Sequence, residues 1–269
     1  MSKINQAADF RARHSEARLL ILPNAWDACS TMLMERLGAA AIATTSAGVA
    51  WALGYPDGDA VPIELHAARI RQIARVVSCP ISADVEGGYS DDPRQAAENI
   101  LRLLDAGAVG INLEDGRGSP DALCRKIEAV KAAAARAGID VFVNARTDVF
   151  LKNLAPDGAV EETLRRAMLY ATAGADGLFA PAVKRREDIA ALVTGQRLPL
   201  NVMAVPGLPP VTELSTLGVR RLSAGSAIAQ KVWGVAQATA AQFIADGSTD
   251  SLFADASTFA GINAGFSKV

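Results

Sequence analysis

One unit of pattern repeats along this chain: a short run of consecutive apolar residues, a small or polar loop, then a longer segment with helical periodicity. The apolar runs fall at residues 19–22, 40–44, 81–84, 109–113, 141–144, 177–179, 200–204 and 220–223. None alternates apolar with polar, so both faces of each strand are expected to be covered, as in a parallel sheet wrapped by helices. Helical patterns follow at 26–37, 62–77, 93–106, 121–137, 160–172, 186–193, 211–217 and 226–244. Asp92 before Pro93 supplies a helix start. Gly107, Gly138, Gly174 and Gly218 each stand just past a helical pattern and before a strand, where a left-handed stop belongs.

Eight strand–helix units predict an α/β fold, a (β/α)8 TIM-type barrel in a single domain over 1–269. An open doubly wound sheet is the alternative that strand number alone leaves standing. Residues 245–269 extend beyond the eighth unit as short helices, whose Leu, Phe and Ile content predicts docking on another surface, such as a neighbouring subunit.

The chain has 269 residues, half of them apolar, enough for one large core. No Pro/Ser/Gly-rich stretch or charge block offers a linker. A formal charge of −2 and a pI near 5.8 argue against nucleic acid or an anionic membrane as the main partner. The longest apolar stretch, 38–54, is interrupted by Thr44, Thr45, Ser46 and Gly48, and reads as a buried strand with a small-residue loop rather than a membrane span. The first residues lack the apolar region of a secretory signal, and three cysteines without CxxC spacing point to a reducing, cytoplasmic setting.

Chemistry in such a barrel sits where strands end and βα loops begin. Strand two ends at Thr45, Ser46 and Gly48, with Tyr55 and Asp57 further along. Strand three ends in Asp84, Glu86 and Tyr89, strand four in Glu114-Asp115, strand five in Arg146 and Asp148, and strand seven at Asn201. The strand beginnings show nothing comparable. Asp84 and Glu86, two apart on an extended segment, point the same way, and Glu114 lies on the next strand. This all-oxygen set suits Mg²⁺, with Mn²⁺ an alternative, and contains no His or Cys to favour Zn²⁺. Arg146 is placed to grip a carboxylate bidentately, or else to pair structurally with Asp148 or Glu114. The 46–48 segment offers backbone N–H groups to an oxyanion, although close helix–strand packing explains its small residues equally well. His14 and His66 are expected to be exposed or packing residues, and the cysteines ordinary thiols. The candidate bases are therefore Asp57, Tyr55 and Tyr89.

The segments TTSAGVAWALGYPDG, SADVEGGYSDDP, GINLEDG and VNARTD, in this order and spacing, resemble the isocitrate lyase/phosphoenolpyruvate mutase superfamily. The resemblance runs from LPNAWD to RRLSAG. It implies a barrel whose eighth helix is swapped with a neighbour in a homotetramer or dimer. It also implies Mg²⁺ and a small 2-oxo or 2-hydroxy carboxylate that passes through a pyruvate-like enolate. Transferred residue by residue, Asp84 is the direct metal ligand, Glu86 and Glu114 hold the metal through water, and Arg146 binds the substrate carboxylate. Ser46, with the amides of Ala47 and Gly48, holds the enolate end, and Asp57 sits beside the scissile group. Asn201 joins the substrate-binding set, and Tyr89 the catalytic one.

This sequence departs from the pattern in three places, one of them the SAG at 46–48 that replaces a tighter Ser-Gly pair. The loop after Glu114 reads GRGSPDALC, without the Lys-Lys/Arg-Cys-Gly-His of isocitrate and methylisocitrate lyases and without the longer Lys- and Asn-bearing loop of the mutases. Glu86 replaces the commoner second Asp. The leading expectation is a Mg²⁺-dependent lyase breaking a C–C bond of a 2-oxo or 2-hydroxy acid. The alternatives are a C–P bond enzyme of phosphoenolpyruvate mutase or phosphonopyruvate hydrolase type, supported by Asp57 but without the extra cationic or amide group that the mutases' Lys and Asn supply near 116–120, and a non-catalytic 2-oxo acid-binding protein.

Overall fold

A computed structural model describes residues 3–267. Its strands are β1 (Leu20–Leu22), β2 (Asn24–Ala25), β3 (Ile42–Thr44), β4 (Ile81–Asp84), β5 (Gly110–Glu114), β6 (Phe142–Arg146), β7 (Gly177–Phe179), β8 (Leu200–Met203) and β9 (Arg221–Ser223). All pair in parallel, in the order β1-β9-β8-β7-β6-β5-β4-β3-β2. β1 and β2 are two halves of one strand, parted at Pro23, which has no N–H to give to a ladder. The lower half pairs with β9 and the upper half with β3, so this strand closes the ring and rules out the open sheet. The Pro23 carbonyl still accepts from the Ala43 amide at 3.0 Å.

The helices are α1 (Lys3–Arg13), α2 (Ala28–Arg36), α3 (Ser46–Leu53), α4 (Ile63–Val76), α5 (Pro93–Ala106), α6 (Pro120–Arg136), α7 (Ala159–Ala173), α8 (Arg186–Thr194), α9 (Val211–Leu217), α10 (Ala227–Asp246), α11 (Asp250–Phe253) and α12 (Phe259–Phe266). Each expected strand and barrel helix is present with ends shifted by no more than a few residues. Gly107, Gly138, Gly174 and Gly218 all adopt positive φ, as the stop positions require.

Two elements depart from expectation. α1 was not foreseen; it plugs the N-terminal mouth of the barrel with Ala7 and Phe10, which pack with Leu20, Leu22 and Phe142. His14, just past its end, is buried against Phe142, with ring centroids 4.0 Å apart. The 46–48 segment is no loop but the first turn of α3. Its small residues are enforced by packing, because a Cβ on Gly48 would meet Thr45, Trp26 and Ala229.

The main core lies between the strands and helices α4 to α9. At β1 this cover is missing: Ile21 is 54% exposed between the buried Leu20 and Leu22, and its partner on β9, Leu222, is only half-buried. Beside it runs a groove of about 890 Å³ lined by Leu19, Ile21, Leu33, Leu37 and Trp233. The helix due to fill that position is α10, which instead leaves the barrel with only Ala229 buried and exposes Val232, Trp233, Val235, Phe243 and Ile244. α12 returns to α2, where Arg36 donates to the Gly261 carbonyl at 3.0 Å. Among the described residues no helix is long and apolar enough to cross a membrane.

Candidate active site

Alternation along the parallel strands sends every second side chain into the barrel. At the C-terminal mouth this brings together Asp84 from β4, Glu114 from β5 and Arg146 from β6. The register pairs Asp84 with Asn112 and Glu114 with Arg146. Glu86 follows β4 and turns back through a positive φ of 50°, and its carboxylate accepts from the Asp59 amide.

Asp84 is buried at the top of β4. Its own amide donates to Thr44 Oγ1 at 2.9 Å, and its Oδ2 lies 3.5 Å from the Ser46 amide in the first turn of α3. Its Oδ1 is buried without a partner among the described residues. Burial raises the proton affinity of Asp84, with Arg146 opposing and Asp57 reinforcing. Burial likewise pushes Glu86 up to about 7, helped by Asp57, Asp59 and Asp84. Glu114 is pushed up to about 8 by burial and by Asp84 and Asp148, against the pull of Arg146. Three carboxylates that repel one another in a poorly solvated mouth are short of positive charge.

Arg146 is held rather than loose. Its Nη1 contacts Glu114 at 2.7 Å, while Nε and Nη2 donate to Asp148 at 2.7 and 3.3 Å. The Phe179 ring lies 5.8 Å from the guanidinium carbon. Three of five N–H donors are used, so two remain for a ligand at a fixed angle. Both structural pairings weighed for this residue are therefore present together.

Not every strand-end polar group faces the mouth. Asp115 points outward to Arg166 at 2.7 Å and the Tyr170 hydroxyl at 2.6 Å, and its Oδ1 accepts the Asp148 amide. Only Glu114 of that pair faces inward. The Tyr89 hydroxyl lies 2.7 Å from His66 Nδ1 on α4, so His66 is a buried packing group engaged by the loop. Asp57 is exposed yet near enough to act on Asp84, Glu86 and Tyr89. Asn201 sits below the mouth, where its amide nitrogen donates to Ser223 and its oxygen accepts from Asn144. Beneath them Arg221 is fully buried and donates to Asn112 at 3.1 Å. Asp59 was not singled out from sequence, although Asp59, like Glu86, is a non-glycine residue at positive φ and accepts from the Tyr89 amide.

Carboxylates also occur at the opposite mouth, contrary to expectation, but they are neutralised there. Asp176 receives Arg11, Lys131 and the Val143 amide. The asymmetry between the two mouths is one of charge compensation rather than of residue type.

Among the described residues no three acidic, histidine or cysteine side chains converge into a ready-made cation cage. The donor set still fits Mg²⁺, which takes one or two direct carboxylates and fills the remainder with water and ligand oxygens. The buried, unpartnered Oδ1 of Asp84 is the direct position such an ion would use.

The profile of the phosphoenolpyruvate phosphomutase family matches residues 10–244. An uncharacterized protein of Mycobacterium tuberculosis is 36% identical over 242 residues, covering 88% of this chain and 89% of that one. The 2-methylisocitrate lyase of Escherichia coli is 29% identical over 195 residues, 68% of this chain and 64% of that one. A Burkholderia cenocepacia structure described as a candidate phosphonomutase superposes with a TM-score of 0.83 at 38% identity, covering 92% of this chain and 100% of that one. A phosphonopyruvate hydrolase, solved with oxalate and Mg²⁺, shares the fold with a TM-score of 0.86 at 24% identity, over 100% of this chain and 96% of that one. The chain therefore belongs to the phosphoenolpyruvate phosphomutase family, within the isocitrate lyase/phosphoenolpyruvate mutase superfamily of lyases and mutases.

Proposed function

We propose that this protein is a Mg²⁺-dependent lyase that cleaves a C–C bond of a small 2-oxo or 2-hydroxy carboxylate through a pyruvate-like enolate. The observation that carries the reading is the inward triad of Asp84, Glu86 and Glu114, all with raised proton affinity, faced by a guanidinium with two donors to spare. In this reading Asp84 contacts the ion directly and Glu86 and Glu114 act through water. The metal would supply Lewis-acid stabilisation of negative charge developing on the oxo-acid end. Arg146, clamped by Glu114 and Asp148, orients the substrate carboxylate with its remaining N–H groups. The first-turn amides of Ser46, Ala47 and Gly48 are not used within α3 and carry the positive end of its dipole toward the same place. Asp57 lies at the exposed rim, and the Tyr89 hydroxyl is already engaged by His66. Decarboxylation of an oxaloacetate-like acid suits such a site, because it needs no base at its first step. The C–P alternative is favoured by Asp57, an uncommitted carboxylate beside the site.

The reading extends to assembly. The exposed apolar face of α10 and the uncovered groove beside Ile21 support exchange of α10 between subunits of a homotetramer or dimer.

Pyruvate release should be assayed with oxaloacetate, 2-methylmalates and phosphonopyruvate, with Mg²⁺ and after chelation. Asp84→Ala is expected to abolish metal-dependent turnover while the far-UV circular dichroism and Tm persist. Unchanged activity in this variant would sink the site. Tight binding of an oxo acid without turnover of any substrate would instead favour a sensor.

A further inference from the structure

The one cation of the loop that follows Glu114, Arg117, is exposed, and the loop lacks the Lys that the superfamily lyases and mutases carry there. Folding brings one there from a different element. Lys152, six residues past the end of β6, pairs with Asp148 Oδ2 at 2.7 Å. Asp148 is the fully buried carboxylate that also holds Arg146. The ammonium continues past Asp148 to the start of the 116–120 loop, where a Cβ built on Gly116 would stand 3.4 Å away. It is also close enough to Glu114 to lower that group's proton affinity. Glu114, Arg146, Asp148, Lys152 and Gly116 thus form a ring around one side of the mouth.

The two cations of this ring are differently placed. Arg146 has both neighbouring carboxylates and a side chain 16% exposed, whereas Lys152 is 31% exposed and, among the described residues, its one ion-pair partner is Asp148. An ammonium has three donors, so Lys152 can bind a further anion without leaving Asp148. Its stem is fixed at the base, since the Lys152 amide donates to the Asp148 carbonyl at 2.8 Å. Gly116 takes a positive φ of 55° and contributes no side chain of its own beside the ammonium.

We propose that Lys152 is a specificity-determining residue that receives the second anionic group, carboxylate or phosphonate, of a dianionic 2-oxo acid whose oxo-acid end lies against Arg146. The inference rests on reading the mouth as an oxo-acid site and adds the residue that selects the distal group. A monoanionic oxo acid would leave that ammonium without its ligand and bind less well. Selection would then come from β6 and its following turn rather than from the loop after β5.

Calorimetry in Mg²⁺ tests this without turnover, on the full chain, with oxalate as a probe of the oxo-acid end alone. Difluorooxaloacetate and phosphonopyruvate carry the distal carboxylate and the distal phosphonate respectively. Lys152→Met is expected to weaken at least one distal-anion probe by about tenfold to a hundredfold, the value of a charge-assisted hydrogen bond, with oxalate changed by less than about twofold. Lys152→Arg should recover most of the loss. The probe that responds tells carboxylate from phosphonate. Equal weakening of oxalate and the distal probes would mean that Lys152 acts only by buttressing Asp148 and Arg146, and would overturn the proposal. No change in any probe would overturn it too. If the wild type binds the distal probes no better than oxalate, this inference fails while the oxo-acid reading stands. Failure to bind oxalate at all would remove both.

Discussion

His14 shows what a buried imidazole does when its surroundings refuse a proton. Its Nδ1 is 2.8 Å from the Phe10 carbonyl, its ring stacks on Phe142, and its Nε2 has no partner among the described residues. Burial, with the nearby charge of Arg221, lowers its pKa to about 3. The unfolded chain titrates near the ordinary value of about 6.5. Between these two values the unfolded state binds the extra proton and the folded state does not. Stability contributed by neutral His14 is therefore complete above about 6.5 and is lost as pH falls toward 3. His66, lowered to about 4 by burial, acts in the same direction. Glu86 and Glu114, raised in the fold, act in the opposite direction at higher pH. The wild type minus His14→Gln difference cancels all three. The stability of the wild type, from urea unfolding, should fall between pH 6.5 and 4 more steeply than that of His14→Gln, by at most about 1.4 kcal/mol per pH unit. Parallel profiles would show that the imidazole is not buried as described.

At the level of elements, the αβ stops make a graded prediction. Gly107 has φ of 129°, and a Cβ there would come within 2.5 Å of the Ala74 Cβ. Gly138 has φ of 71° and open space around its Cβ position. Alanine at Gly138 meets only backbone strain, about 1 kcal/mol, whereas at Gly107 strain and collision combine to about 2–4 kcal/mol. Urea midpoints should fall in that order, and equal losses would refute the steric part. Those stops, and the strands they introduce, were legible because continuous apolar runs and αL glycines are local signals. α1 was not, because only Ala7 and Phe10 of its side chains are buried in an otherwise largely polar segment, and the next inward group is a histidine. α3 was masked in another way: it is buried around its whole first turn, so it carries no amphipathic stripe and its Ser, Ala and Gly read as loop. The carboxylates of the mouth were visible from strand ends alone. That Glu114 faces inward and Asp115 outward follows from strand alternation, which a pair of adjacent acids does not announce. Lys152 escaped notice because it lies six residues beyond its strand and reaches the mouth only through the turn that carries Asp148.

For the whole molecule, the unfinished surface is at β1 and α10. A barrel strand with an uncovered outer residue, Ile21, adjoins an 890 Å³ apolar groove, and the helix that would cover it carries Trp233 and Val235 into solvent. Apolar surface on that scale is stabilised by burial at about 25 cal/mol per Å², so two copies exchanging α10 would complete both barrels at once. The first turn of α10 is also the wall behind α3, since Ala229 packs where a Cβ on Gly48 would project. Position of α10 and position of the Ser46–Gly48 amides beside Asp84 are thereby mechanically joined. Light scattering of the wild type should give a mass that is a closed multiple of 28.0 kDa and does not change on dilution through the micromolar range. Ile21→Glu, whose side chain touches nothing in the mouth, should shift the mass toward the single chain by placing a charge against the apolar wall of the groove. If exchange of α10 also positions α3, that variant should lose turnover in step with its loss of mass, and both should recover together at high protein concentration. A wild type that runs as a single chain would remove the exchange, and a dissociated variant with full activity would separate α10 from the site.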